Sequence, residues 1–189
     1  MAVRDIVLYL KNETSLRKKS RPGGRITRRV KRLVQDLKDT LNDCTNGVGL
    51  AAPQIDAHSR VIAVRLGGGQ DDEGNVQEPD PPIALIDPQI VEAGDEKRDF
   101  DGCLSFPGLY GETVRPHRLR VIGLDEAGHP FDRLFEGFDA VVVHHEIDHL
   151  DGVLFIDRIE NVQDLYRVRE DENGELVRVP VSADVSLSL

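Results

Sequence analysis

Apolar residues recur along this chain with two different periods. From Arg25 to Cys44, the residues Ile26, Val30, Leu33, Val34, Leu37 and Leu41 fall at helical spacing, which gathers them on one helix face. The pattern predicts a long amphipathic helix with its basic face outward, stopped near Asn46-Gly47. Cys44 falls in the last turn and reads as a small buried hydrophobe. The segments RVIAVRL, IALIDPQIV, FDGCLSF, LRVIGLDE and HPFDRLFEG read as strands, with turns at Pro107-Gly108 and Ala127-Gly128. Between the first two, GGGQDDEGNVQEPDPP is rich in Gly, Pro and acids and reads as a mobile surface loop. Its glycines lack the Lys-Ser/Thr of a phosphate loop and open no helix, so no nucleotide site is expected there. A second helix is predicted from about Asp139 to Leu150, ended by Asp151-Gly152. LYRVREDENGELVRVPV alternates around Glu-Asn-Gly and suggests a terminal hairpin. No internal repeat is present, and strands do not alternate with helices as in a parallel sheet. The fold expected is α+β: antiparallel or mixed sheets packed around the second helix, with an amphipathic helix near the N-terminus. Residues 1–160 are expected to form a single domain and 161–189 a C-terminal extension.

Composition narrows the setting. A chain of 189 residues, 39% hydrophobic and 31% charged, can bury a sizeable core. No apolar run approaches the ~18 residues of a membrane span, and MAVRDIVLYLKNET lacks the apolar stretch of a secretory signal. Cys44 and Cys103 could form one disulfide, but without an export signal they are expected as free thiols in a cytoplasmic protein. The net charge of −10 argues against nucleic acid binding over the whole surface, and no DNA partner is expected. The charge is uneven, however. Residues 11–32 hold ten Lys/Arg against Glu13 alone, a local +9 that leaves −19 on the rest. A solvated helix face accounts for this; so does a patch that meets an anionic partner such as RNA.

The candidate chemistry lies in HHEIDHLDG, residues 144–152. His145 and His149 are four apart, close to one helical turn, so both imidazoles face the same way and suit one metal ion, with Glu146 beside it. A catalytic site of this type uses three protein ligands and keeps one position open. The spacing to Gly152 fits an extended protease motif, but Phe155 stands where that motif needs a third histidine. Glu170 is a second downstream candidate, in the charged turn RVREDENGE rather than on a helix face. Upstream, Cys103 follows a glycine in DGCLSFPG, and a thiolate with two imidazoles suits a borderline metal. A zinc protease acting on internal peptide bonds and a non-enzymatic binding module stand as alternatives. The first would need no Cys103, and the second would not need the ligands or Glu146.

Three blocks, in order, carry a resemblance. GVGLAAPQ (residues 47–54), DGCLS (101–105) and HHEIDHLDG (144–152), flanked by LRKKSRP, LSFPGLYGETVRP and GVLFIDRI, resemble the motifs of the peptide deformylases. The likeness runs from about residue 5 to 160. Beyond that, no C-terminal ribosome-docking helix of the kind known in some members is evident. Two positions depart from the family pattern: Asp101 replaces a Glu and His144 replaces a Gln. Neither is a ligand or the acid–base. Both are expected to orient ligands, and the two are expected to compensate each other through direct or water-bridged contact.

The resemblance implies hydrolysis of the formyl amide of N-terminal formylmethionine on nascent polypeptides, releasing formate. It implies one divalent metal ion, Fe2+ natively with Zn2+, Ni2+ or Co2+ able to substitute, held by Cys103, His145 and His149. Glu146 would take a proton from water and return it to the departing amine. The side-chain amide of Gln54 and the backbone N–H of Leu104 would steady the developing oxyanion. Gly49 would leave room for a peptide backbone, and Val48, Phe138 and Val141 would line an apolar pocket for the methionine side chain. A transient ribosome contact follows as an expectation from the substrate and the basic stretch.

Overall fold

The computed structural model describes residues 2–70, 76–170 and 174–181. Two helices open the chain: the short α1 (Tyr9–Leu16) and the longer α2 (Arg28–Asp43). Strands β1 (Gly49–Ala51) and β2 (Val61–Val64) flank a 3-10 turn at Ala52–Ile55. The two-residue strands β3 (Gly69–Gln70) and β4 (Val76–Gln77) pair with each other, and the middle of the loop between them, residues 71–75, lies outside the described residues. Then come β5 (Ile83–Gly102), β6 (Leu109–Leu124), β7 (Pro130–Glu136) and helix α3 (Gly137–Leu150). The chain ends in β8 (Leu165–Glu170) and β9 (Leu176–Pro180).

One sheet runs in the order β1-β2-β5-β6-β8-β9, with β7 also paired to β6. Every pairing in it is antiparallel. β6, paired to β5, is long enough to serve two further neighbours, β7 along Arg118–Leu124 and β8 along Leu109–Gly111, so the sheet curls around α3. The C-terminal strands past residue 160 thus continue the main sheet, and the connecting residues 171–173 lie outside the described set.

α3 explains the arrangement. Each residue from Ala140 to Leu150 is buried, so beyond its first turn this helix has no solvent face and reads as nearly continuous apolar sequence around its polar motif. Its apolar residues Ala140, Val142, Val143, Ile147 and Leu150 share a core cluster with Ile62, Val64, Leu119, Val121 and Phe135. α2 packs its apolar face, Val30, Val34, Leu37 and Leu41, on the other side of β2 against Val61, Ala63 and Ile86. Thr27 caps α2, its side chain accepting from the Val30 N–H at 3.3 Å.

Two expectations are corrected, and one helix is added. Cys44 is the extended residue that caps the end of α2, its N–H donating to the Leu41 carbonyl at 3.3 Å, and it is only half-buried. α1 is an additional helix with no clear apolar stripe. The segment from Ile83 to Gly102 is one strand rather than two, held together by pairing with β6 across a charged stretch.

Candidate metal centre

The site forms where three separate segments meet the buried helix. His145 and His149 stand one turn apart, with ring centroids 5.0 Å apart. β5 ends at Gly102 and delivers Cys103 to them, and its Sγ lies 3.2 Å from His149 Nε2. One donor atom from each of Cys103, His145 and His149 lies within 4.8 Å of the others. The arrangement requires the chain to turn at once after Cys103. A hydrogen bond from the Phe106 N–H to the Cys103 carbonyl makes that turn (2.9 Å), and Leu104 lies within it.

The residues fit a metal ion on their own chemistry. A thiol and two imidazoles are the donors suited to a borderline divalent ion. His145 Nδ1 is taken by Asp101 Oδ1 at 2.8 Å, which leaves Nε2 as its free donor. The buried Glu146 Oε2 has no hydrogen-bond partner among the described residues, an arrangement that is costly unless a ligand or water meets it.

Glu146 is enclosed by its neighbours. A Cβ on Gly49 would collide with its carboxylate, so β1 can lie this close only because residue 49 has no side chain. Burial pushes the Glu146 carboxyl up to about 7, against the pull of nearby His145 and Arg115. Gln54 sits in the 3-10 turn, 1% exposed. Its Oε1 accepts the Ala51 N–H at 2.8 Å, which turns its amide NH2 toward Cys103 Sγ (3.5 Å) and Ser105 Oγ (3.3 Å).

The apolar candidates lie just before β1 and in the first turns of α3. Val48 precedes β1 and packs partly on the α3 cluster. Val141 is buried yet belongs to none of the three core clusters. Phe138, one turn before it on the same face, is 40% exposed. Glu170, the downstream candidate, ends β8 as an exposed residue, and Phe155 is a core residue packed with Phe106.

Behind the histidines lies a buried ionic network built on Arg115, which is 1% exposed. Its Nε donates to Asp101 Oδ2 at 2.7 Å, and Thr113 Oγ1 donates to the same oxygen at 3.0 Å. Its Nη1 donates to Asp148 Oδ2 at 2.8 Å and meets His144 Nδ1 at 2.7 Å. Arg158 adds two hydrogen bonds to Asp148, at 2.6 and 2.7 Å. Burial drives the His144 pKa down to about 4, so the ring is neutral at pH 7 and its Nδ1 is free to accept from Arg115. Burial would raise the Asp101 carboxyl, but His145 and Arg115 outweigh it and hold that carboxyl well below its usual range. The expected contact between Asp101 and His144 is replaced by a shared partner: among the described residues both bind Arg115, not each other. Its guanidinium is long enough to span the two sites that a shorter carboxylate leaves apart.

Residues 3–164 match the sequence model of the polypeptide deformylases. The chain belongs to the polypeptide deformylase family. A curated peptide deformylase from Desulforudis audaxviator is 43% identical over 163 residues, covering 86% of this chain and 97% of that protein. Among solved structures, peptide deformylase from Thermotoga maritima superposes with a TM-score of 0.73 at 31% identity, covering 85% of this chain and 100% of that one. The Acinetobacter baumannii class I type b enzyme, crystallised with Met-Ala-Ser bound, gives a TM-score of 0.73 at 29% identity, covering 84% and 99%.

The chain is therefore a deformylase, a metallohydrolase with a single metal ion that removes the N-formyl group from nascent peptides. Both alternative readings fall with this assignment. Arg115, Thr113, Ser105, Asp148 and Arg158 were not singled out from the sequence. Asp148 sits inside the helix motif and could have been flagged there. The others carry no local signal, because their partners lie 10 or more residues away in the chain.

Proposed function

We propose that this deformylase acts through Cys103, His145 and His149 as metal ligands and Glu146 as the group that moves the proton. Ferrous iron is the native ion in this reading, with zinc, nickel and cobalt as substitutes. A divalent ion held there supplies Lewis acidity and draws the pKa of a water from 15.7 toward ~7. Glu146 accepts the proton of the attacking water and passes it to the departing amine. Its raised pKa suits both directions of transfer near neutrality. The oriented NH2 of Gln54 and the N–H of Leu104 donate to the formyl oxygen as negative charge develops, each worth about 2.7–4 kcal/mol in the transition state. Asp101 holds His145 in one tautomer. Gly49 admits the peptide backbone beside Glu146, and Val48, Val141 and Phe138 line the pocket for the methionine side chain.

The observation that carries this reading is the convergence of one thiol and two imidazoles beside a buried carboxylate with an unpartnered oxygen. The substrate is N-formylmethionine at the head of a growing chain, met in the cytoplasm during a transient contact with the ribosome. In support, no helix among the described residues is long and apolar enough to cross a membrane. The test is formate release from a formyl-Met peptide after anaerobic purification, with metal analysis on the same sample. Glu146→Ala should keep its metal and lose about 10²–10⁴-fold in kcat. Full activity in that variant would remove Glu146 from the mechanism.

A further inference from the structure

The metal site leaves one feature of the molecule unused. Lys18, Lys19, Arg21, Arg25, Arg28, Arg29, Lys31 and Arg32 are all exposed and fall within fifteen residues. Elsewhere, cations such as Arg4, Arg17, Lys38, Arg60 and Arg98 pair with carboxylates; among the described residues these eight do not. The chain as a whole carries −10, so acidic partners are abundant but lie elsewhere.

The placement works against folding. Arg28, Arg29, Lys31 and Arg32 occupy the first turns of α2, which has no acidic residue in its first turn. Cations there oppose the helix dipole, and Arg28 with Arg32 and Arg29 with Arg32 are like charges at repelling spacings. A local rule broken without compensation marks a functional surface more often than a structural one. Arg28 and Arg32 lie opposite Val30, Val34 and Leu37, the buried face of the helix, and Arg29 and Lys31 flank it. That apolar face is committed to the core, so α2 cannot sink into a bilayer as an amphipathic surface helix does.

We propose that the segment Lys18–Arg32 is a docking surface for folded RNA, bound through its phosphates. Five of the eight cations are arginines, whose planar fork matches phosphate. The segment contains no aromatic residue, so it tracks backbone and does not stack bases. This rests on, and gives a surface to, the ribosome contact proposed above. Its test uses RNA alone, so it can fail or succeed separately from that contact and from the deformylation chemistry.

The experiment titrates the full-length protein against a fluorescently labelled RNA hairpin, followed by anisotropy at 50 and 200 mM KCl. If about five cations reach phosphates, affinity should fall by a few hundred-fold between these salts. The combined variant Arg25→Gln, Arg28→Gln, Arg29→Gln, Lys31→Gln and Arg32→Gln should bind at least tenfold more weakly. Its melting temperature should be equal or higher, and formyl-peptide turnover should stay within twofold of wild type. Should that variant fail to fold, Lys18→Gln, Lys19→Gln and Arg21→Gln together should weaken binding at least threefold. Neutralising Arg118, Arg120 and Arg178 instead should leave RNA affinity unchanged. The proposal is overturned by no RNA binding at 50 mM KCl, by equal binding in the variants, or by equal affinity for polyglutamate or for vesicles with one-third anionic lipid.

Discussion

Asp101 shows how much one side chain is asked to do at this site. One carboxylate oxygen orients His145, and the other is gripped by Arg115 and Thr113. Asp101→Asn keeps the shape but puts an amide where a carboxylate held the imidazole. Metal affinity, read by competition with a chelator, should fall 10–100-fold. An unchanged affinity would show that His145 needs no such support. Gly49 makes the complementary point about space. Gly49→Ala forces a methyl group against the Glu146 carboxylate, and the expected cost is about 1–3 kcal/mol of stability by urea unfolding, with loss of activity. An alanine variant as stable and active as wild type would mean that Glu146 swings away freely. Roles such as these were only partly legible in the sequence. The spacing of His145 and His149 announces a shared helix face, whereas Arg115 touches Asp101, His144 and Asp148 only once the chain has folded.

At the scale of elements, legibility follows the source of the stability. α2 could be read directly, because its apolar residues repeat with the helical period and stay on one buried face. The distal half of β5 could not. EAGDEKRD carries no apolar alternation to mark a strand, yet it pairs with β6, supported by Arg118–Glu92 at 2.7 Å and by Arg98–Glu112. Cross-strand pairing, not burial, makes it a strand. α1 escapes for a related reason: only Ser15 and Leu16 are buried, so no periodic pattern marks it. The β6–β7 turn offers a pH test. Asp125 accepts the N–H groups of His129 and Ala127 at 2.8 and 2.9 Å, and these bonds lower its pKa. A carboxyl lowered by folding adds stability above its unfolded value of ~3.9, and that stability is lost as pH falls through the folded value. The stability difference between wild type and Asp125→Asn should therefore be full at pH 7 and shrink by pH 3. A difference that stays constant with pH would contradict the ionic role of this carboxylate.

At the scale of the molecule, the sheet's function is to gather distant segments onto a helix it encloses. Gln54 comes from the turn after β1, Cys103 from the end of β5, and the two histidines from α3. The antiparallel sheet fixes their separations because β1, β2, β5 and β6 are hydrogen-bonded neighbours. The α+β class was readable from the grouping of strands before the motif helix. The curl was not, since it depends on β6 serving β7 and β8 along different stretches. The central claim is that this architecture closes a sulfur from a strand end over two imidazoles from a helix. X-ray absorption at the metal edge of the anaerobically purified protein tests it most directly. The account predicts one sulfur and two imidazole nitrogens around a single ion, with the sulfur lost in Cys103→Ser; a spectrum of the wild-type protein fitted by nitrogen and oxygen ligands alone would contradict it.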